Sequence, residues 1–210
     1  TGWGAIAFDR SNARVRASRP IALDFGGFGK GFALDRACDV LRRVGAGSAL
    51  LSAGESSIAV VGEHPLGGGW PFAIPDPLRP DQTLLELELR DEALSISSTV
   101  GAGTVAPDRA AMIRPTDGTI VTRRRTSVAV QCSGARAEAM STALLVADED
   151  QASALLDPSR CFLFDFTRAA AAPFFFVWPF GCLDQLVCHE ASPRRLVTAY
   201  FSSHFLIDKR

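Results

Sequence analysis

Residues 22–36 read ALDFGGFGKGFALDR, which puts four glycines (Gly26, Gly27, Gly29, Gly31) into six positions, with Asp24 before them and Lys30 among them. Glycines let a backbone approach an anion closely. A following helix presents unpaired N–H groups and the positive end of its dipole, and a lysine adds a full charge. These are the parts of a phosphate site. The spacing matches neither standard nucleotide fingerprint, because Gly-Lys is followed by Gly31 rather than Ser or Thr, and no GxGxxG occurs. The residues alone leave a structural turn and an anion site both open. Lysine usage bears on the choice: of 22 basic residues the only lysines are Lys30 and Lys209, the rest being arginine. A flexible point charge at this one place suits a mobile phosphate contact better than a planar fork does.

A second group lies in ARAEAMSTALLV. On a helix over 135–146, Glu138 and Thr142 stand one turn apart on one face with Ser141 beside them. A carboxylate and two hydroxyls are hard oxygen donors of the kind magnesium takes together with substrate phosphates. Taken alone, the same residues also read as a solvated glutamate and two hydroxyls bonded back to the helix. SAGESSI lacks the second glycine of a nucleophile elbow, since Ile58 stands there. His64, His189 and His204 have no serine partner in an evident catalytic context, which argues against a serine triad.

The elements that must position these residues follow from periodicity. Residues 3–8 and 13–24 read as short strands, the second running into the glycines. From Phe32 to Val44 the spacing predicts a helix with Ala33, Ala37, Val40, Leu41 and Val44 on one face, stopped by Gly45. SALLSAG and SSIAVVG have strand length, GWPFAIPDP lies in a turn-rich piece, and TLLELELR alternates as a half-buried strand does. ALSISS, AAMIRP and TSVAVQC are further short strands before the helix at 135–146. Strand, long helix, many strands and a second helix predict an α+β fold with a mixed or antiparallel sheet.

Composition narrows the function classes. With 210 residues, 47% hydrophobic and 21% charged, the chain has globular proportions. Its formal net charge of −1, with basic residues scattered, offers no broad positive face for nucleic acid or anionic lipid. Five cysteines (Cys38, Cys132, Cys161, Cys182, Cys188) without a CxxC pair propose neither a disulfide framework nor a zinc site. No signal-peptide pattern opens the sequence, and the longest uncharged apolar run, 169–183, is short for a membrane helix of about 20 residues and contains Pro173 and Pro179. From about Arg160 the character shifts: nine of fourteen phenylalanines lie there. The expected division is a core over 1–160 and a Phe-rich strand or tail over 161–210.

Four blocks in order, DFGGFGKGFALDRACDVLRR, ALLSAGESSIAVVG, GWPFAIPDP and ARAEAMSTALLV, resemble the ApbE family of FAD:protein FMN transferases over residues 20–157. The resemblance implies a T-fold-related α+β architecture. It also implies transfer of FMN from FAD to a threonine of a target flavoprotein with release of AMP, FAD as substrate, and Mg2+. Asp24, Lys30 and Ile113 take the positions of flavin-dinucleotide contacts, the last through its backbone. Gly27, Glu138, Ser141 and Thr142 take the positions of the metal set. Family members sit on the periplasmic side of a bacterial inner membrane. The chain departs from the pattern at four places. Ala111 stands where the family carries a histidine proposed to activate the acceptor threonine, Arg114 where it carries an aspartate, Glu55 where it carries a glycine, and Glu138 where the metal ligand is an aspartate. The resemblance also implies a segment before the glycine block that supplies much of the flavin and adenosine pocket, and the sequence is expected to lack it. These departures imply an alternative: an impaired relative that binds flavin or a protein partner without transferring.

Overall fold

The computed structural model describes residues 3–101, 112–155 and 160–166. A turn of 3-10 helix at Trp3–Ala5 leads into a hairpin of β1 (Ile6–Asp9) and β2 (Arg14–Ala17), and then the glycine loop runs into α1 (Gly29–Arg43). Next come β3 (Ser48–Ser52), β4 (Ser57–Gly62), the hairpin β5 (Trp70–Asp76) and β6 (Arg79–Leu89), and then β7 (Ala93–Ser98). After these come β8 (Arg125–Gln131), α2 (Gly134–Val146), α3 (Glu149–Leu155) and β9 (Cys161–Asp165). The central sheet has the order β3-β4-β7-β8-β9, every pair antiparallel. The α+β class with antiparallel pairing expected from the sequence is what forms.

Side-chain size decides which layer covers which face of this sheet. Successive strand residues point to opposite faces. In β4, β7 and β8 one set is large: Val60, Leu94, Val128 and Val130 pack with Ile74, Leu85 and Leu89 of the β5–β6 hairpin. The alternating TLLELELR run delivers Leu85 and Leu89 to this layer and leaves Glu86 and Glu88 exposed. The other set is small: Ala59, Ala93 and Ala129 pack under the helices, and Ser57, Ser95 and Ser127 are buried there too. Small residues let α1 and α2 lie close to the sheet, so the helices are held by polar and backbone contacts as well as by Leu34, Cys38, Leu51 and Leu144. Burying a Leu or Val of this kind contributes about 1.5–3 kcal/mol.

The first helix starts three residues before the expected Phe32, and of the expected face only Ala37 and Leu41 pack against the core. Its buried residues are Gly31, Leu34 and Cys38, whereas Val40 and Val44 are exposed. Hydrophobic spacing pointed to the valines, but the small Gly31 allows contact with α2 and turns the 31/34/38 line inward. AAMIRP contributes only an isolated bridge between Ile113 and Ile120 among the described residues. GWPFAIPDP contains the whole of β5, tolerated because Pro71 and Pro75 lie in a two-stranded hairpin with irregular register at Pro75. Residues 161–165 of the Phe-rich region form β9 on β8, and 167–210 lie outside the described residues.

Candidate functional site

The glycine loop enters α1 through a tight turn in which Phe28 and Gly29 N–H groups donate to the Phe25 carbonyl at 3.0 and 2.7 Å. Asp24 accepts from the Gly26 N–H at 2.7 Å, an Asx turn that holds the loop's entry, and its carboxylate is exposed. The N-cap residue Phe28 supplies no side-chain cap, so this helix end relies on backbone and on other elements.

The other element is α2. Its N-terminal turn meets the start of α1 backbone to backbone: a Cβ on Gly31 would lie 2.0 Å from the Gly134 carbonyl oxygen, and one on Gly134 2.6 Å from the Gly31 oxygen. Only glycine fits at this crossing. Asp35, one turn further along α1, accepts from Gly134 N–H at 2.6 Å, Ala135 N–H at 3.0 Å and the Ser133 hydroxyl at 2.8 Å. Its negative charge thus sits on the positive end of α2. At the other end, buried Arg125 of β8 donates to the Ala147 carbonyl at 3.0 Å and to Asp165 at 2.8 Å, placing a cation at the negative end. Charges from two neighbouring elements therefore fix the position of α2 along its own axis.

That fixed position brings Glu138 and Thr142 to the loop. Glu138 is 2% exposed. Its Oε2 accepts from the Gly31 N–H at 2.8 Å, and its Oε1 accepts from the Ser57 hydroxyl at 2.8 Å, with Lys30 Nζ at 3.5 Å. Lys30, 45% exposed, also donates to the Ser56 hydroxyl at 2.7 Å. Thr142 packs on Gly27 so closely that a Cβ there would lie 3.1 Å from Oγ1, and this hydroxyl is 3.4 Å from Ser97 Oγ. Ser141 points the other way. Its fully buried hydroxyl meets Ser95 at 3.0 Å and Ser97 at 2.9 Å and donates to the Glu138 carbonyl at 3.2 Å, stitching α2 to β7.

Of the residues singled out by sequence, Lys30 meets Glu138 at the start of α1, Thr142 packs on Gly27 of the loop before it, and Ser141 shares Ser97 of β7 with Thr142. Asp24 holds the mouth of the loop. Ile113, 56% exposed, sits in its bridge to Ile120. Position 111 lies outside the described residues. Sequence reasoning missed Asp35, Ser56, Ser57, Ser95 and Ser97. The i, i+2 spacing of serines in ALSISS marked a polar stripe on one strand face. Nothing local distinguished Asp35 from a solvated helix residue.

Magnesium is the ion that the resemblance brings to this place. Among the described residues no three His, Cys, Asp or Glu side chains converge, so a cation could not be caged by protein carboxylates. A site with one carboxylate, a threonine hydroxyl and a backbone carbonyl fits the way magnesium binds, with phosphates and water completing its shell. The donor set fits that chemistry, and the Glu138 charge is shared with Lys30.

Comparison with known proteins bears on the fold. Solved structures similar in fold include the apo flavinyl transferase ApbE of Pseudomonas stutzeri, with 23% identity and TM-score 0.65, covering 81% of this chain and 52% of that one. The ApbE protein of Thermotoga maritima matches at 22% identity and TM-score 0.65, covering 79% and 55%. The flavin transferase ApbE of Vibrio cholerae matches at 20% identity and TM-score 0.64, covering 79% and 53%. The chain thus spans about half the length of these structures. No functionally curated protein matches it. The model of the ApbE family matches residues 1–163, most of the sequence, and the chain belongs to that family.

Proposed function

We propose that the loop and α2 form the pyrophosphate end of a flavin-dinucleotide site and that the chain takes part in FMN transfer from FAD to a threonine of an acceptor flavoprotein. The observation that supports this most is the junction itself: α1 and α2 cross at glycines 31 and 134, which sets Glu138 on the Gly31 N–H and beside Lys30, while Thr142 packs on Gly27 of the same loop. The N-terminus of α1 and the half-exposed Lys30 ammonium would neutralise phosphate oxygens. Asp24 would hold the loop at the entrance, and the Ile113 backbone would border the flavin.

In the proposed reaction the threonine hydroxyl oxygen bonds to the phosphorus of the FMN half. The bond from that phosphorus to the bridging oxygen breaks, and AMP leaves with the electron pair. The hydroxyl proton passes to a base. The family's histidine position is Ala111, so this chain's residues assign no base. Lys30 offsets the charge that builds on the phosphates as the bridge breaks. Gly27, Glu138 and Thr142 would hold magnesium, which when bound supplies further charge neutralisation at the pyrophosphate. Placement on the periplasmic side of a bacterial membrane belongs to the same reading; among the described residues no helix is long and apolar enough to span one.

The inward bonding of Glu138 and the alanine at position 111 favour a second reading, a domain that binds FAD without transferring it. One assay separates the two: incubate the chain with FAD, Mg2+ and an acceptor flavoprotein, then follow acceptor-bound flavin fluorescence and free AMP. Both products are expected for a transferase. FAD binding without either product selects the second reading, and no FAD binding overturns both.

A further inference from the structure

Among the described residues the Glu138 carboxylate has three partners, and they differ in how easily each can leave. The Gly31 N–H is locked at the α1–α2 crossing, where Gly31 touches Gly134. The Ser57 hydroxyl is 1% exposed at the start of β4. Lys30 is the exception: its side chain is 45% exposed and reaches Oε1 at 3.5 Å from a flexible stem that also leans on Ser56.

Resting on the proposed dinucleotide site, we infer that Lys30 gates the cation position. While its ammonium lies on Glu138, the one carboxylate of the cluster among the described residues is neutralised, and a divalent cation arriving there meets a positive charge with no net negative partner. Phosphates of a dinucleotide compete for the same ammonium. When they draw Lys30 outward, Oε1 regains its charge, with Gly31 and Ser57 still holding the carboxylate in place. Dinucleotide and cation therefore bind in a coupled order, dinucleotide first, and each raises the affinity for the other by the same factor. Glutamate rather than aspartate at position 138 suits this device. The longer side chain reaches the Gly31 N–H and Ser57 while leaving one oxygen within reach of Lys30.

The test is cation binding to the full chain without any dinucleotide, with Mn2+ as probe, read by electron paramagnetic resonance of the free ion. Wild type, Lys30→Met, Lys30→Gln and Lys30→Arg are compared, each checked for native circular dichroism. Removing the charge is expected to tighten Mn2+ binding about tenfold or more, the scale of one nearby unit charge at a partly solvated site. Lys30→Arg should stay near wild type. Lys30→Gln keeps a donor for Ser56 and so serves should Lys30→Met fail to fold. Affinity that is unchanged or lower in the neutral variants, or no Mn2+ binding in any of them, overturns the gate. Because no FAD is present, that outcome is separate from failure of the proposed function, which shows as absence of FAD binding.

Discussion

At the residue scale, the α1–α2 junction depends on glycines that cannot be replaced and on one that can. A Cβ at Gly31 would overlap the Gly134 carbonyl at 2.0 Å, backbone against backbone, with no side chain free to move aside. Gly31→Ala is therefore expected to cost about 3 kcal/mol or more, read as a lower urea midpoint. Gly29 is the control: its Cβ would meet only Phe25 Cβ at 3.6 Å, an ordinary contact. Gly29→Ala should be neutral or gain about 0.5 kcal/mol by stiffening the unfolded chain. The sequence showed the glycine cluster plainly and could not rank its members, because what distinguishes Gly31 is a residue more than a hundred positions away. Glu138 has the same history. Its spacing with Thr142 placed it on the right helix face, but its bonds to Gly31 and Ser57 depend on three elements meeting.

At the element scale, α2 is the part that must be held, and its restraints come from outside it. Asp35 supplies three hydrogen bonds to the helix start, so Asp35→Ala is expected to cost about 2 kcal/mol in chemical denaturation, with Asp35→Asn losing part of that. A smaller electrostatic brace lies at the turn between β6 and β7. There Asp91 accepts from the Gly62 N–H at 2.9 Å and from Arg42 at 3.2 Å. The Gly62 N–H, aided by Arg42, holds the Asp91 carboxyl below its usual range. A lowered folded value means that this brace is fully present above the unfolded value of about 3.9 and is lost as pH falls through the folded one. Stability should therefore decline with acid below about pH 4, and Asp91→Asn should flatten that part of the profile. The effect is modest because the side chain is half exposed. Strands such as β6 and the helix at α2 were legible from period alone. The buried face of α1 was legible only at Ala37 and Leu41, because hydrophobicity also favoured Val40 and Val44 while close packing selected Gly31, Leu34 and Cys38.

At the scale of the whole molecule, a five-stranded sheet with small residues on one face carries two helices close enough for their backbones to touch, and that contact builds the candidate site. The family was readable because four blocks occur in order, each weak alone. The layer arrangement was not readable, since it follows from which strand face carries alanine and serine and which carries valine and leucine. The chain covers about half of the related structures, so the strength of dinucleotide binding by this half is the decisive quantity. Calorimetric titration of the chain with FAD, set beside the same titration of Lys30→Met, tests the proposed dinucleotide site. Saturable binding at one site per chain is expected, weakened about tenfold or more when the ammonium is removed, as for loss of a charge-assisted contact to phosphate. No binding by the native chain, or equal affinity in the two proteins, would contradict it.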